Sequence, residues 1–236
     1  SAHLMAQAIS RLYPNSKVQF GVGPVIQNGF YYDILMEESI HEDDLVKIED
    51  MMKTIIKEKL PIERKVMSRP EAVEFFKSQG QDLKVELIEA IPADEAVTCY
   101  SQGEFIDLCR GPHVDSTADL PQGFKLLSIA GAYWRGDEKR EVMQRIYAAC
   151  FQDRKLLKQH LMMLEEAKKR DHRKLGKELE LFHFDKVAPG APFFMPKGTT
   201  IINELTSYIR RLYRLYDYDE VITPQVLDSD LWHTSG

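Results

Sequence analysis

Phe105 to Cys109 is a short apolar strand that runs into Arg110-Gly111-Pro112-His113. Strand side chains alternate between faces, so Asp107 and Cys109 point one way while Ile106 and Leu108 point the other. Gly111-Pro112 turns the chain and brings His113 close behind the cysteine. A carboxylate, a thiol and an imidazole then converge on one cavity. C-x3-H is also a metal half-site, because thiolate sulfur and imidazole nitrogen both bind zinc. A buried cysteine beside a surface histidine gives the same spacing, so the stretch alone does not choose.

The chain has 236 residues, enough for one large domain or two ordinary ones, and 44% of them are hydrophobic. Lys plus Arg number 31 against 37 Asp plus Glu, a net charge of -6. That acidic total argues against indiscriminate nucleic-acid binding and leaves room for a local basic patch. The three cysteines, Cys99, Cys109 and Cys150, are odd in number and widely spaced, which suits a reducing cytosol better than a disulfide scaffold. No apolar run approaches the ~18 residues of a membrane span, and no basic stretch leads an apolar one at the N-terminus, so neither span nor secretory signal is expected.

Leu4, Met5, Ala8, Ile9 and Leu12 form a helical stripe closed by Pro14-Asn15, with His3 and Gln7 sharing an adjoining face. The stripe begins abruptly, which suggests residues upstream. Between Val18 and Tyr32, Gly21, Gly23, Pro24 and Gly29 punctuate strand-like material. No helix follows the Gly-x-Gly, so it reads as close backbone approach and not as a dinucleotide loop. Ser39-Ile40-His41-Glu42 has the spacing of a capping box before a helix striped by Leu45, Ile48, Met52, Ile55 and Ile56; Ser68-Arg69-Pro70-Glu71 is a second one. Lys84 stands on a short segment where a lone lysine is usually at the surface. Ala96 to Tyr100 and Glu104 to Cys109 read as a hairpin, and Phe124 to Ile129 and Val142 to Phe151 as further strands. Between the last two, Ala130 to Asp137 either lines a pocket for a stacked base or makes a tight turn over core aromatics. Gln152 to Leu181 reads as one long helix whose basic end, Lys168 to Lys177, could track phosphates or be a solvated face. A new unit then opens, with Thr199 or Thr200 capping a helix striped by Ile201, Ile202, Leu205, Ile209, Leu212 and Tyr216, and a strand from Glu220 to Thr223.

Four segments together resemble the threonyl-tRNA synthetase family over essentially the whole chain: Ala2-His3-Leu4-Met5, Gly23 to Asp33, Asp107 to His113, and Ala130 to Asp137 with Gln144-Arg145-Ile146-Tyr147. The first looks like the end of the family's H-x3-H motif, whose first histidine would fall before Ser1. H-x3-H with C-x3-H alone would not separate threonyl from alanyl synthetases, whose editing domains share it.

The resemblance implies an α+β chain: an editing domain over 1–151, a linker helix over 152–180, and over 181–236 the N-terminal part of a class II catalytic domain. The last part holds the motif 1 region of a homodimer interface, with Asp217 where the family usually has glycine before the aromatic Tyr218. It further implies hydrolysis of serine misattached to tRNA(Thr), in the cytoplasm, without DNA or membrane partners. His3, Cys109 and His113 would line the hydrolytic pocket, Lys84 would place water and offset charge, Asp107 would bind the seryl ammonium, and Tyr32 would shape the pocket. His3, Cys109 and His113 are also possible metal ligands, although the threonyl family is mostly read as metal-free there and no cofactor is expected for editing. ATP and zinc would serve the full-length enzyme at sites outside this chain, so aminoacylation is not expected of it. Two other readings fit parts of the pattern: a stand-alone deacylase of the alanyl-editing kind, and a non-catalytic tRNA-binding module.

Overall fold

A computed structural model describes residues 1–92, 94–224 and 228–235. Contacts divide the chain into two units, Ser1–Met162 and Met163–Gly236.

In the first unit, helices α1 (Ala2–Leu12) and α2 (Asp44–Glu58) pack against a five-stranded antiparallel sheet of β1 (Gln19–Phe20), β2 (Val25–Ile26), β3 (Gly29–Leu35), β7 (Gly123–Tyr133) and β8 (Val142–Phe151). The spatial order is β1-β3-β8-β7, with β2 paired to β3. The i, i+3, i+4 stripes of both helices bury Leu4, Met5, Ile9, Ile48, Met52 and Ile55 against Phe30, Ile34 and Ile146, which alternate inward along their strands. A second, three-stranded antiparallel sheet of β4 (Ile62–Met67), β5 (Val97–Gln102) and β6 (Phe105–Leu108) carries α3 (Arg69–Ser78) and α4 (Asp82–Glu89) on its own cluster of Ala72, Phe76, Val85, Ile88, Val97 and Cys99. Sheets that are antiparallel throughout, with helices packed on them, make the unit α+β.

Local chemistry decides where elements begin. The capping box at Ser68 forms, Ser68 accepting from the Glu71 amide while Glu71 accepts from that of Ser68. The one expected at Ser39 does not. There α2 starts only at Asp44, beyond the Ser39–Glu42 box and without a side-chain cap, and the Asp44 carboxylate takes the His41 amide at 3.1 Å. Gly23 lies against the Tyr32 ring, where a Cβ would come within 2.5 Å of the ring carbon, so the Gly-x-Gly serves close approach as its spacing suggested. Trp134 is buried with Leu83 and Met143 and donates its indole N–H to Glu86 at 3.1 Å; that tryptophan is core and not a stacking platform.

The second unit holds the end of α5 (Arg154–Lys169), then α6 (His172–Glu178), an antiparallel pair of β9 (Phe182–Phe184) and β10 (Pro192–Phe194), α7 (Pro196–Leu215) and α8 (Asp230–Ser235). The single helix expected over 152–181 is broken in two because Asp171 turns its carboxylate onto the Arg173 amide at 2.8 Å and caps α6. Helix α7 starts at Pro196, ahead of Thr199 and Thr200, with no side-chain cap. The segment Glu220 to Thr223 forms no strand; among the described residues it has no neighbouring strand to supply the missing hydrogen bonds. Ile201, Leu205, Tyr208 and Ile209 on α7 are exposed, so its apolar stripe is not spent on a core within the described residues.

Thr117, wholly buried, donates to the Ile55 carbonyl at 3.0 Å and accepts the Leu60 amide at 2.9 Å, tying the end of α2 to the loop beyond β6. Thr117→Val keeps the volume and strands both backbone groups, so it should cost about 1–3 kcal/mol, read as a lower urea midpoint with unchanged m-value.

Candidate active site

The site residues come from five elements. His3 is in the first turn of α1, Tyr32 is on β3, Lys84 on α4, Asp107 on β6, and Cys109 and His113 follow β6. A helical histidine enters because α1 turns its apolar face to the sheet, leaving the His3–Gln7 edge towards the β5–β6 hairpin. Tyr32 shares the inward face of β3 with Phe30 and Ile34.

Asp107 is the hub. One of its oxygens accepts the Lys84 ammonium at 2.5 Å and the Leu108 amide at 2.8 Å. The other takes a short hydrogen bond from the Tyr32 hydroxyl and faces His3 Nε2 at 3.4 Å. Lys84 also donates to the Tyr32 oxygen at 2.9 Å. All of this is out of solvent: Asp107 is 2% exposed, Lys84 3% and Tyr32 2%. Lys84 is therefore no surface lysine. It lies one helical turn before the buried Ile88, and the apolar flank of α4 carries it inward.

The environment sorts the protonation states. Burial alone would raise the Asp107 pKa, but the Lys84 charge and His3 outweigh it, and the group stays below the usual carboxylate value. Burial lowers His3 to about 4 against the opposing pull of Asp107, so near neutral pH the imidazole is uncharged. Burial lowers His113 as well. The Tyr32 hydroxyl is pushed well above its ordinary value by burial and by the Asp107 carboxylate, so it remains a donor.

Cys109, His113 and His3 line one cavity of about 470 Å³, together with Gly23, Asn28 and Gly29. The His113 Nε2 is 3.2 Å from the Cys109 sulfur, and the His3 and His113 rings are 4.7 Å apart. Tyr100 props His113 edge-on at 4.2 Å, and Gly111 passes so close to the Tyr100 hydroxyl that a Cβ there would collide with it. Asp107 and Lys84 line a separate cleft of about 310 Å³ with Gln7, Phe20, Phe76 and Phe105. The expected convergence of Asp107, Cys109 and His113 on one cavity therefore does not occur: β6 ends at Leu108, Asp107 lines the separate cleft, and His3 lies between, lining the cavity of Cys109 and His113 while facing Asp107 at 3.4 Å. Ligand atoms of His3, Cys109 and His113 lie within 4.8 Å of one another. Thiolate and imidazole are both zinc ligands, so this trio could hold a metal.

Residues 97–147 match the family model described as the threonyl and alanyl tRNA synthetase second additional domain. Over all of its length the chain is 54% identical to the threonine–tRNA ligase of Carboxydothermus hydrogenoformans, 55% to that of Bacillus velezensis and 57% to that of Staphylococcus saprophyticus. The chain belongs to the threonyl-tRNA synthetase family. It spans 36–37% of the length of these curated relatives. The matched stretch begins at β5 and ends within β8, so it contains Asp107, Cys109 and His113 but neither His3 nor Lys84.

Between its unfolded value near 6.5 and its folded value of about 4, His3 binds a proton in the unfolded chain and not in the folded one. Stability therefore rises with pH across that window and falls on acidification. His3→Asn should flatten the pH dependence of the urea midpoint between 4 and 6.5, leaving the further loss below 4 that Asp107 contributes.

Proposed function

We propose that the first unit hydrolyses serine wrongly esterified to the 3′ end of tRNA(Thr), as the editing part of a threonine–tRNA ligase. The observation that carries this reading is the buried cluster of His3, Tyr32, Lys84 and Asp107 at the wall of the cavity lined by Cys109 and His113, in a chain alike to such ligases from end to end. Serine is threonine without a methyl, and a methyl-sized difference supports only about 10–200-fold discrimination by binding. A second site that admits only the smaller ester supplies the rest.

A buried imidazole uncharged near neutral pH can take the proton of a water attacking the ester carbonyl. The same proton then passes to the departing 3′ oxygen of the ribose, leaving free serine and a 3′ hydroxyl. Asp107 is already satisfied by Lys84, Tyr32 and the Leu108 amide, so a seryl ammonium would take the place of its longest contact, the one to His3 at 3.4 Å. Lys84 lines the cleft on the far side of the carboxylate, and it contributes positive charge through Asp107. Tyr32 fixes the second carboxylate oxygen. Cys109 and His113 shape the cavity that receives the seryl side chain.

In this reading residues 1–151 are the editing domain, 152–180 the linker, and 181–236 the N-terminal part of a class II catalytic domain, whose α7 face would meet a second subunit in a homodimer. ATP, zinc and aminoacylation belong to the full-length ligase, and the setting is cytoplasmic translation; no described helix is long and apolar enough to cross a membrane. The likeness over residues 163–236 speaks against a stand-alone alanyl-type deacylase.

Incubated with charged tRNA(Thr), the chain should release serine and spare threonine, and a chelator should leave the rate unchanged. His3→Ala should slow release by about 10²–10⁴-fold, the usual contribution of a positioned base. Equal hydrolysis of the two esters, or of neither, would overturn the reading. Inhibition by chelator would assign a metal to His3, Cys109 and His113.

A further inference from the structure

We propose that Gln7 is a positioning residue for His3, holding the register of α1 along its axis so that the imidazole keeps its place in the cavity beside Cys109 and His113. The inference rests on the hydrolytic reading above for its consequence, and on geometry for its cause. His3 makes a single polar contact with the cluster, 3.4 Å to Asp107, so its place depends on how α1 docks. The apolar face of α1 buries Leu4, Met5, Ala6, Ala8 and Ile9 completely. Such burial is non-directional, and a face interrupted by alanines resists sliding along the helix axis poorly.

Gln7 supplies the missing direction. It lies one turn after His3, about 6 Å along the axis, and is 0% exposed. Its amide nitrogen donates to the Gln102 carbonyl at 3.1 Å and to Glu104 at 2.9 Å, and its oxygen accepts the Gln102 side chain at 2.5 Å. Gln102 and Glu104 flank the turn between β5 and β6, the strand that bears Asp107. Arg11, donating to Glu104 at 2.6 Å, holds that carboxylate ionised with a pKa of about 2, so the acceptor stays charged across the working pH range. Every hydrogen bond of the Gln7 amide thus goes to the hairpin that carries the carboxylate, and a slip of α1 would break all of them at once. Of the other polar groups on α1, Arg11 also reaches this hairpin, at Glu104 on the exposed side, and Ser10 donates back to the Ala6 carbonyl within the helix.

The test separates position from stability. Gln7→Leu leaves the buried Gln102 amide short of a partner and should lower both stability and turnover. Gln7→Leu with Gln102→Leu also removes the stranded Gln102 amide, leaving only the Gln102 carbonyl and the Arg11-held Glu104 to lose a partner, so it should be more stable than Gln7→Leu alone. The double variant should recover part of its urea midpoint and still hydrolyse seryl-tRNA(Thr) as slowly as Gln7→Leu, by about 10²-fold for a displacement near 1 Å, with KM unchanged. Thr117→Val, destabilised away from the site, should keep full turnover when assayed folded. The NOE between the His3 and His113 rings reads the register without any assay of activity, and it should weaken in both Gln7 variants. A double variant with full turnover and an unchanged NOE would overturn the proposal. Should the unaltered chain fail to hydrolyse either ester, the hydrolytic reading fails, and the NOE alone decides whether Gln7 sets the register.

Discussion

The buried pair of Lys84 and Asp107 is the interaction on which the site depends. Taking both charges out of water costs several kcal/mol per ion after relaxation, and one contact at 2.5 Å does not repay that alone. The repayment is spread over Tyr32, the Leu108 amide and the second Lys84 hydrogen bond, so three elements, β3, α4 and β6, must be docked before the pair is tolerable. Few buried ion pairs are kept for stability. This one sets the charge next to His3, and it does so at the seam between the two antiparallel sheets.

Much of this could be read along the chain. The stripes of α1 and α2 and the full extent of β8 follow from apolar period, and the Ser68 box follows from its spacing. His113 beside Cys109 follows from the Gly-Pro turn, whereas strand alternation failed for Asp107 and Cys109, because β6 ends at Leu108 and the two line different cavities. The remainder depended on partners distant in sequence. Lys84 looked superficial because spacing cannot show that Asp107, more than twenty positions on, waits inside to neutralise it. Gln7 was visible as the neighbour of His3 on one face, but its meaning lies in Gln102 and Glu104. Trp134 could have been a platform until Glu86 and Leu83 closed over it.

The errors have the same origin. At Ser39 the sequence offered a cap, but α2 starts beyond it at Asp44, whose carboxylate takes the His41 amide. Around Asp171 the helical period continues without a break, yet an aspartate that can reach its own downstream amide competes with the helix backbone. Glu220 to Thr223 has strand composition without a strand beside it. Local propensity proposes an element, and available hydrogen-bond partners decide whether it forms.

Trp134 joins α4 to the large sheet, since its ring packs on Leu83 and Met143 and its indole proton is held by Glu86. Leu83 immediately precedes Lys84, so any movement of α4 that disturbs the lysine must also change the surroundings of this indole. The protein therefore carries an intrinsic fluorophore at the place where its ion pair is assembled. The chain has two tryptophans, and with Trp232→Phe the emission of Trp134 alone would follow, in real time, whether α4 is seated when an aminoacyl ester arrives.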